Sequence, residues 1–299
     1  MKTRIIGLSK ILIRIKLFIV TGLIIFTSST YAHLAFESGT ISITQNNVDD
    51  WTTVPFSEDF EGEAPIVVVG PSSYQGDDPH VIRVKDVTPL GFKVQIQEWR
   101  YLDGTHPNTE DISYLAMKEG VHNLGSLKVN ALRKTAVDHN TSSIDFDESF
   151  ASTPIVFSQI TTFNGGQPAT LRTENIDLNG FDIRTQEEEA GDNTHNPEHV
   201  DIIAIEAGST TFRSHRIIVA TLTGVDEGWE TANFGETLSS NSPHILAAMQ
   251  TTAGTDTATL RYKDLSNSSV KLMVQEETSN DDETGHADED VGYIVIQPN

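Results

Sequence analysis

Four kinds of polar residue recur along this chain at one fixed spacing. Arg83, Arg172 and Arg261 lie 89 residues apart, as do the pairs Gln97-Glu98, Gln186-Glu187 and Gln275-Glu276. His106, His195 and His286 follow at 89 and 91, each with a glutamate three or four positions on: Glu110, Glu198 and Glu289. Arginine, glutamate and histidine together permit several kinds of chemistry. They can form a buried tie, in which a carboxylate that leaves water is matched by a cation. Glu98, His106 and Glu110 can ligate zinc or manganese, which accept imidazole and carboxylate together. A pair such as Glu98 and Glu110 can also do acid–base work on a glycosidic bond. Exposure separates the first reading from ligand binding: a tie buries Arg83 and Glu98 against each other, whereas a binding site leaves Arg83 and Trp99 lining a shared open groove.

The elements that must position these residues are short and alternating. In the first repeat, apolar and polar residues alternate over 40–44 and 51–56, and Pro65 opens an apolar run at 66–69 that Gly70-Pro71 should stop. Alternation returns over 80–87, and residues 88–91 read as a turn. Phe92, Val94 and Ile96 then point to one side, with Lys93, Gln95 and Gln97 to the other, before a last strand at 111–117. Glu98 continues the inward parity, so it is expected inside, together with Glu187 and Glu276. About six strands per repeat and no helical periodicity predict an all-β fold of three tandem small antiparallel β-sandwich modules. Their expected bounds are 33–120, 121–208 and 209–299. With almost no linker, the three could form a solenoid, a string of beads or a closed intrachain pseudo-trimer.

Residues 1–32 stand apart. Lys2, Arg4, Lys10, Arg14 and Lys16 precede an apolar stretch at 17–26 and the small-residue site Thr30-Tyr31-Ala32, the pattern of a cleaved secretory signal peptide. Cleavage after Ala32 would leave 267 residues, three times 89, and shift the formal net charge from −23 to −28. That acidity argues against nucleic acid and against membrane insertion or anionic lipid as partners. The chain has no cysteine, so thiolate chemistry is excluded and stability must come from burial. Serine-hydrolase elbows, zinc-protease helices and phosphate-binding loops are missing from the sequence, which points to a binding protein rather than an enzyme. The acidic run 280–283 admits calcium-assisted binding as a further reading, with no other cofactor expected.

Several short motifs resemble the H-type lectin domain: Glu37-Ser38-Gly39, Trp51 with Val54, Pro65-Ile66-Val67, Arg83 with Gly91-Phe92, and Ile112-Ser113-Tyr114. The resemblance implies a six-stranded sandwich that binds N-acetylgalactosamine or galactose between neighbouring protomers of a trimer. It carries Arg83, Arg172 and Arg261 over as sugar contacts, with Trp99 and Arg100 as the aromatic-plus-polar pair. It also carries over Gly224 and Asp226, from the third repeat's Gly224-Val225-Asp226-Glu227-Gly228-Trp229. Arg100 departs from the family's histidine, and Glu188 and Glu277 replace the tryptophan in the other repeats. A composite pocket of Trp99, Asp226 and Arg261 is therefore expected if the repeats close on themselves. The functional expectation is a secreted carbohydrate-binding or adhesive protein. The rival is a structural surface protein whose repeated polar set only holds modules together.

Overall fold

The computed structural model describes residues 36–298; the expected signal peptide at 1–32 lies outside the described residues. Among the described residues the chain is all β, and one strand set recurs three times. Copy one contains β1 (Phe36–Gln45), β2 (Thr52–Pro55), β3 (Ile66–Ser73), β4 (His80–Thr88), β5 (Gly91–Glu98) and β6 (His106–Met117). Copy two has β7 (Gly120–Leu124), β8 (Leu127–Val137), β9 (Ser142–Asp145), β10 (Ile155–Ile160), β11 (Ala169–Glu174), β12 (Gly180–Glu187) and β13 (Glu198–Ile205). In copy three lie β14 (Gly208–Phe212), β15 (His215–Val225), β16 (Glu230–Asn233), β17 (His244–Met249), β18 (Ala258–Lys263), β19 (Ser269–Glu276) and β20 (Glu289–Gln297).

Each copy is a small sandwich. Its outer layer is a three-stranded antiparallel sheet, β2-β5-β4 in copy one, β9-β12-β11 in copy two and β16-β19-β18 in copy three. The inner layer is β1-β6-β3, β7-β8-β13-β10 or β14-β15-β20-β17. Gly70-Pro71 does not stop β3 as the sequence suggests. The strand runs on to Ser73 through an irregularity in its pairing with β6 between Val69 and Ser72. This extension carries β3 to β18 of copy three, which it meets in parallel at Arg261↔Ser72 and Tyr262↔Ser73, fusing two sheets into one of six strands. Gln95 also departs from expectation, because it is buried although it faces away from Phe92 and Val94.

Two kinds of core follow. Within copy one, Val54, Phe56, Phe92, Val94 and Ile96 of the outer sheet pack on Val67, Ile112 and Tyr114 of the inner sheet, and the other copies do likewise. The opposite face of every inner sheet is also buried. Leu115, Met117 and Val68 of copy one meet Ile155, Phe157, Ile203 and Ile205 of copy two and Ile217, Leu246, Ile294 and Ile296 of copy three in one shared cluster. A strand covered on both faces needs a continuous apolar run rather than alternation. β6, β13 and β20 have such runs, in Tyr114-Leu115-Ala116-Met117, Ile202-Ile203-Ala204-Ile205 and Tyr293-Ile294-Val295-Ile296. The three sandwiches thus close about a common centre, the pseudo-trimer among the arrangements the sequence allowed.

Because no copy can bury its inner face alone, the chain should unfold as one unit. Ile203→Ala removes a side chain that is 0% exposed at the shared centre. It should cost roughly 2–5 kcal/mol and lower a single calorimetric transition as a whole. Separate transitions for the copies would contradict this account of the core.

Candidate functional site

The recurrent polar residues converge at the three seams between copies. Arg83 of copy one crosses into copy two, where its guanidinium donates to the carbonyls of Gly165 (3.2 Å) and Gln167 (2.7 Å) and lies 3.3 Å from Glu198. Arg172 of copy two reaches Gly254 O (2.6 Å) and Glu289 (3.2 Å) of copy three. Arg261 of copy three returns to copy one, donating to Ser73 O (2.7 Å), Gly76 O (2.9 Å) and Glu110 (2.9 Å). The ring of contacts closes. All three arginines are buried, the burial lowering their pKa against the pull of the neighbouring glutamates, to about 10 for Arg83 and Arg261.

Each receiving glutamate belongs to a relay within its own copy. His106 lies 3.4 Å from Glu98 at Nδ1 and 3.0 Å from Glu110 at Nε2. His195 sits between Glu187 (2.6 Å) and Glu198 (3.3 Å), and His286 between Glu276 (2.5 Å) and Glu289 (3.2 Å). Carboxylates stand at both nitrogens of each ring, so each relay runs carboxylate, imidazole, carboxylate, guanidinium. Burial would raise Glu198 and Glu289. Hydrogen bonds from their histidines, from Thr162 and Thr251, and from backbone N–H groups such as those of Gly165 and Gly254 instead hold both at about 2. Glu110 is likewise lowered against burial by His106, Ser73 and the Gly76 amide.

Glu98 and Glu276 are inward, as their parity indicated, and burial raises their pKa. Arg83 is buried, but against Glu198 of the next copy rather than against Glu98. The tie is therefore between modules, while Glu98 serves His106 and accepts from the Gly104 amide. Of the grouping Glu98, His106 and Glu110 considered for metal, Glu98 and His106 bring their ligand atoms together with Asp78 instead, all within 4.8 Å of one another. Glu110 is taken up by Arg261 and the loop amides.

Gly76, Gly165 and Gly254, also 89 residues apart, complete the relay and were not singled out from the sequence. A Cβ on any of them would come within 2.4–2.7 Å of the imidazole of His106, His195 or His286. Their carbonyls accept from the incoming arginine and their amides donate to the glutamate. Ser73, Thr162 and Thr251, at the same spacing, donate to the same three glutamates. Their exact period was the available signal.

The residues that differ between copies lie around this frame. Trp99 is fully buried beside an open pocket of about 480 Å³ at the seam of copies one and two. Gln97, Glu98, Arg100, Leu102, Val48 and residues 166–168 also line it. The Trp99 Nε1 has no hydrogen-bond partner. Arg100 is exposed; its backbone N–H donates to Glu188 of copy two at 2.8 Å. Trp99 does not meet Asp226 and Arg261. Gly224, in the left-handed region at φ 71°, and Asp226 lie in the third copy's loop, where Asp226 O accepts from Val274 N and its carboxylate from Gly228 N. Arg261 is taken up at the seam of copies three and one. The expected composite fails because Trp99 lines the pocket at the seam of copies one and two, whereas Arg261 is bound at the seam of copies three and one.

Aromatic braces further distinguish the seams. Trp51 packs edge-on against Phe163 at 5.3 Å, with Lys85 Nζ 3.9 Å from the indole centre and Arg83 4.6 Å from that of Phe163. Between copies three and one, Trp229, Tyr74, Lys263 and Arg261 repeat this arrangement. Between copies two and three the matching positions hold Asn140, Thr252 and Glu174.

Against known proteins, the family model of the H-type lectin domain matches residues 141–205, from the start of β9 through β13. Over 278 residues, 88% of this chain, the sequence is 29% identical to Halomucin of Haloquadratum walsbyi, and the chain spans about 3% of that relative's length. No solved structure matches the chain.

The relays set a pH window for stability. Glu198 and Glu289, depressed to about 2, stabilise the fold above the ordinary glutamate range and lose that contribution as pH falls toward 2. His286 is raised by Glu289 and Glu276 in spite of burial, so its contribution is complete below about pH 6.5 and fades as pH rises through its shifted value. Glu98 and Glu276, raised by burial, also favour the acid side. The melting temperature should fall as pH drops from about 4.5 toward 2, where Glu198 and Glu289 become protonated. A melting temperature unchanged from about pH 5 to 2.5 would contradict ionised, hydrogen-bonded Glu198 and Glu289 in the relays.

Proposed function

From the premise that residues 141–205 form an H-type lectin domain, we propose that the chain is a carbohydrate-binding protein with one glycan site, at the seam of copies one and two. The observation that carries the reading is the pocket beside Trp99. It joins an aromatic wall with Val48, Leu102 and Pro168 to the polar side chains of Gln97, Gln167 and Arg100. Apolar walls with a few fixed polar groups are what a sugar ring requires. Arg83 holds the floor from beneath, through Gln97 Oε1 and Gln167 O, and so positions the site without touching the sugar.

The other seams carry different residues at these positions. Copy two carries Glu188 and Glu189 where copy one has Trp99 and Arg100; the Glu188 carboxylate accepts from the Arg100 N–H of copy one, and Thr257 N–H and hydroxyl are bonded to Glu189 and Glu187 O. Between copies three and one stand Glu277, Thr278, Asp77 and Asp78. Glu188 and Glu277 thus replace the indole, and Glu189 and Thr278 the guanidinium, so the threefold scaffold carries a single site. Galactose or N-acetylgalactosamine is the expected ligand class. The acidic composition and the basic, then apolar, segment at 1–26 fit a secreted or surface-borne adhesin.

Titration calorimetry with N-acetylgalactosamine should give one site per chain, unaffected by a chelator. Arg100→Ala should weaken binding roughly five- to tenfold with the melting temperature unchanged. Three equivalent sites, or affinity indifferent to Arg100→Ala and to Trp99→Phe together, would refute the single-seam reading.

A further inference from the structure

We infer that the ligand of this seam is an oligosaccharide of at least two residues, whose second sugar stacks on an aromatic platform formed by Phe163 and Trp51. The inference rests on the glycan reading above. Two loops and one side chain make pocket and platform continuous. Residues 46–51 carry Val48 in the pocket and Trp51 in the platform; residues 163–168 carry Phe163 in the platform and Gln167 and Pro168 in the pocket. Arg83 donates to Gln97 Oε1 and Gln167 O with one nitrogen, while its guanidinium lies over the Phe163 ring.

Phe163 is 37% exposed and Val48 59%, although each lies beside residues that are fully buried. An aromatic ring left open next to a polar pocket is the surface on which the apolar C–H face of a pyranose packs, because burying both faces removes apolar area from water. Lys85 reaches across Trp51 and lies 5.7 Å from the Phe163 ring, so its ammonium is placed at the platform edge as a donor for ring hydroxyls.

The chain contains its own comparisons. The seam of copies three and one has the brace, with Tyr74, Trp229 and Lys263, but carboxylates at the pocket positions. The seam of copies two and three has neither an aromatic brace nor an indole. Only between copies one and two do brace and pocket coincide among the described residues.

The test is calorimetry on the full chain with N-acetylgalactosamine and with a disaccharide that carries it at the non-reducing end. Native protein should bind the disaccharide roughly fivefold tighter or better. Phe163→Ala should reduce that ratio to about one, with the monosaccharide Kd within about twofold of native, while Tyr74→Ala, which removes the equivalent brace, should leave the ratio intact. A native ratio near one, or a ratio that survives Phe163→Ala, overturns the platform and leaves the pocket standing. If neither sugar binds the native chain, the glycan reading fails and the platform fails with it.

Discussion

A guanidinium sealed between two copies of the same sandwich is the contact on which the rest of this molecule depends. A buried charge is costly unless it is paired and its remaining donors are satisfied. Here each arginine finds a carboxylate and at least one backbone carbonyl in the next copy, with Arg83 Nε and Arg172 Nε and Nη1 left without partners. No copy can therefore satisfy its own arginine, and none can cover its own inner apolar face. The two requirements reinforce one another. Burial in the shared centre supplies most of the stability, while the arginine fixes the rotation at which the copies meet. A buried ion pair contributes little net free energy compared with an apolar substitute. Its effect is geometric: any other register would leave three guanidinium groups and three carboxylates unpaired.

That division explains why the copies diverge where they do. Arginine, glycine, glutamine-glutamate, histidine and glutamate are held at every seam because each is a link in one closed chain of donors and acceptors. Trp99, Arg100, Phe163 and their counterparts lie just outside the links and can change without opening the ring. Glu188 and Glu277 take the place of Trp99 and accept from the Arg100 and Glu189 amides of the preceding copy. The third position is filled differently, by the Tyr101 hydroxyl, which accepts from Thr278 N. A scaffold built of three repeats can in this way keep a single specialised seam.

Much of the architecture was legible in the sequence, for identifiable reasons. Alternation in residues 92–98 marks one strand face, and the exact period marks residues that obey a threefold geometry. The continuous apolar runs of β6, β13 and β20 already carry the signature of strands covered on both sides. The destination of the arginines was not legible, because period alone cannot tell a contact within a copy from one across a seam. Parity placed Glu98 inside but could not say that His106, rather than Arg83, would meet it. Gly76, Gly165 and Gly254 stand at the same period yet have no side chain to draw notice, and their role appears only when the imidazole rings are seen against them. The composite of Trp99, Asp226 and Arg261 failed for a related reason: resemblance matched residue types without fixing which seam each residue faces.

The central claim is that the arginine and the glutamate of successive copies act as one unit. A double-mutant cycle on Arg83→Met and Glu198→Gln, read by reversible denaturation near pH 6, tests it most directly. Each single change should cost several kcal/mol because it leaves the other partner buried and unpaired, and the double mutant should recover about 2 kcal/mol or more of their summed cost. Additive effects, with coupling near zero, would mean that the seams are held by apolar packing alone and that the arginine ring does not set the assembly.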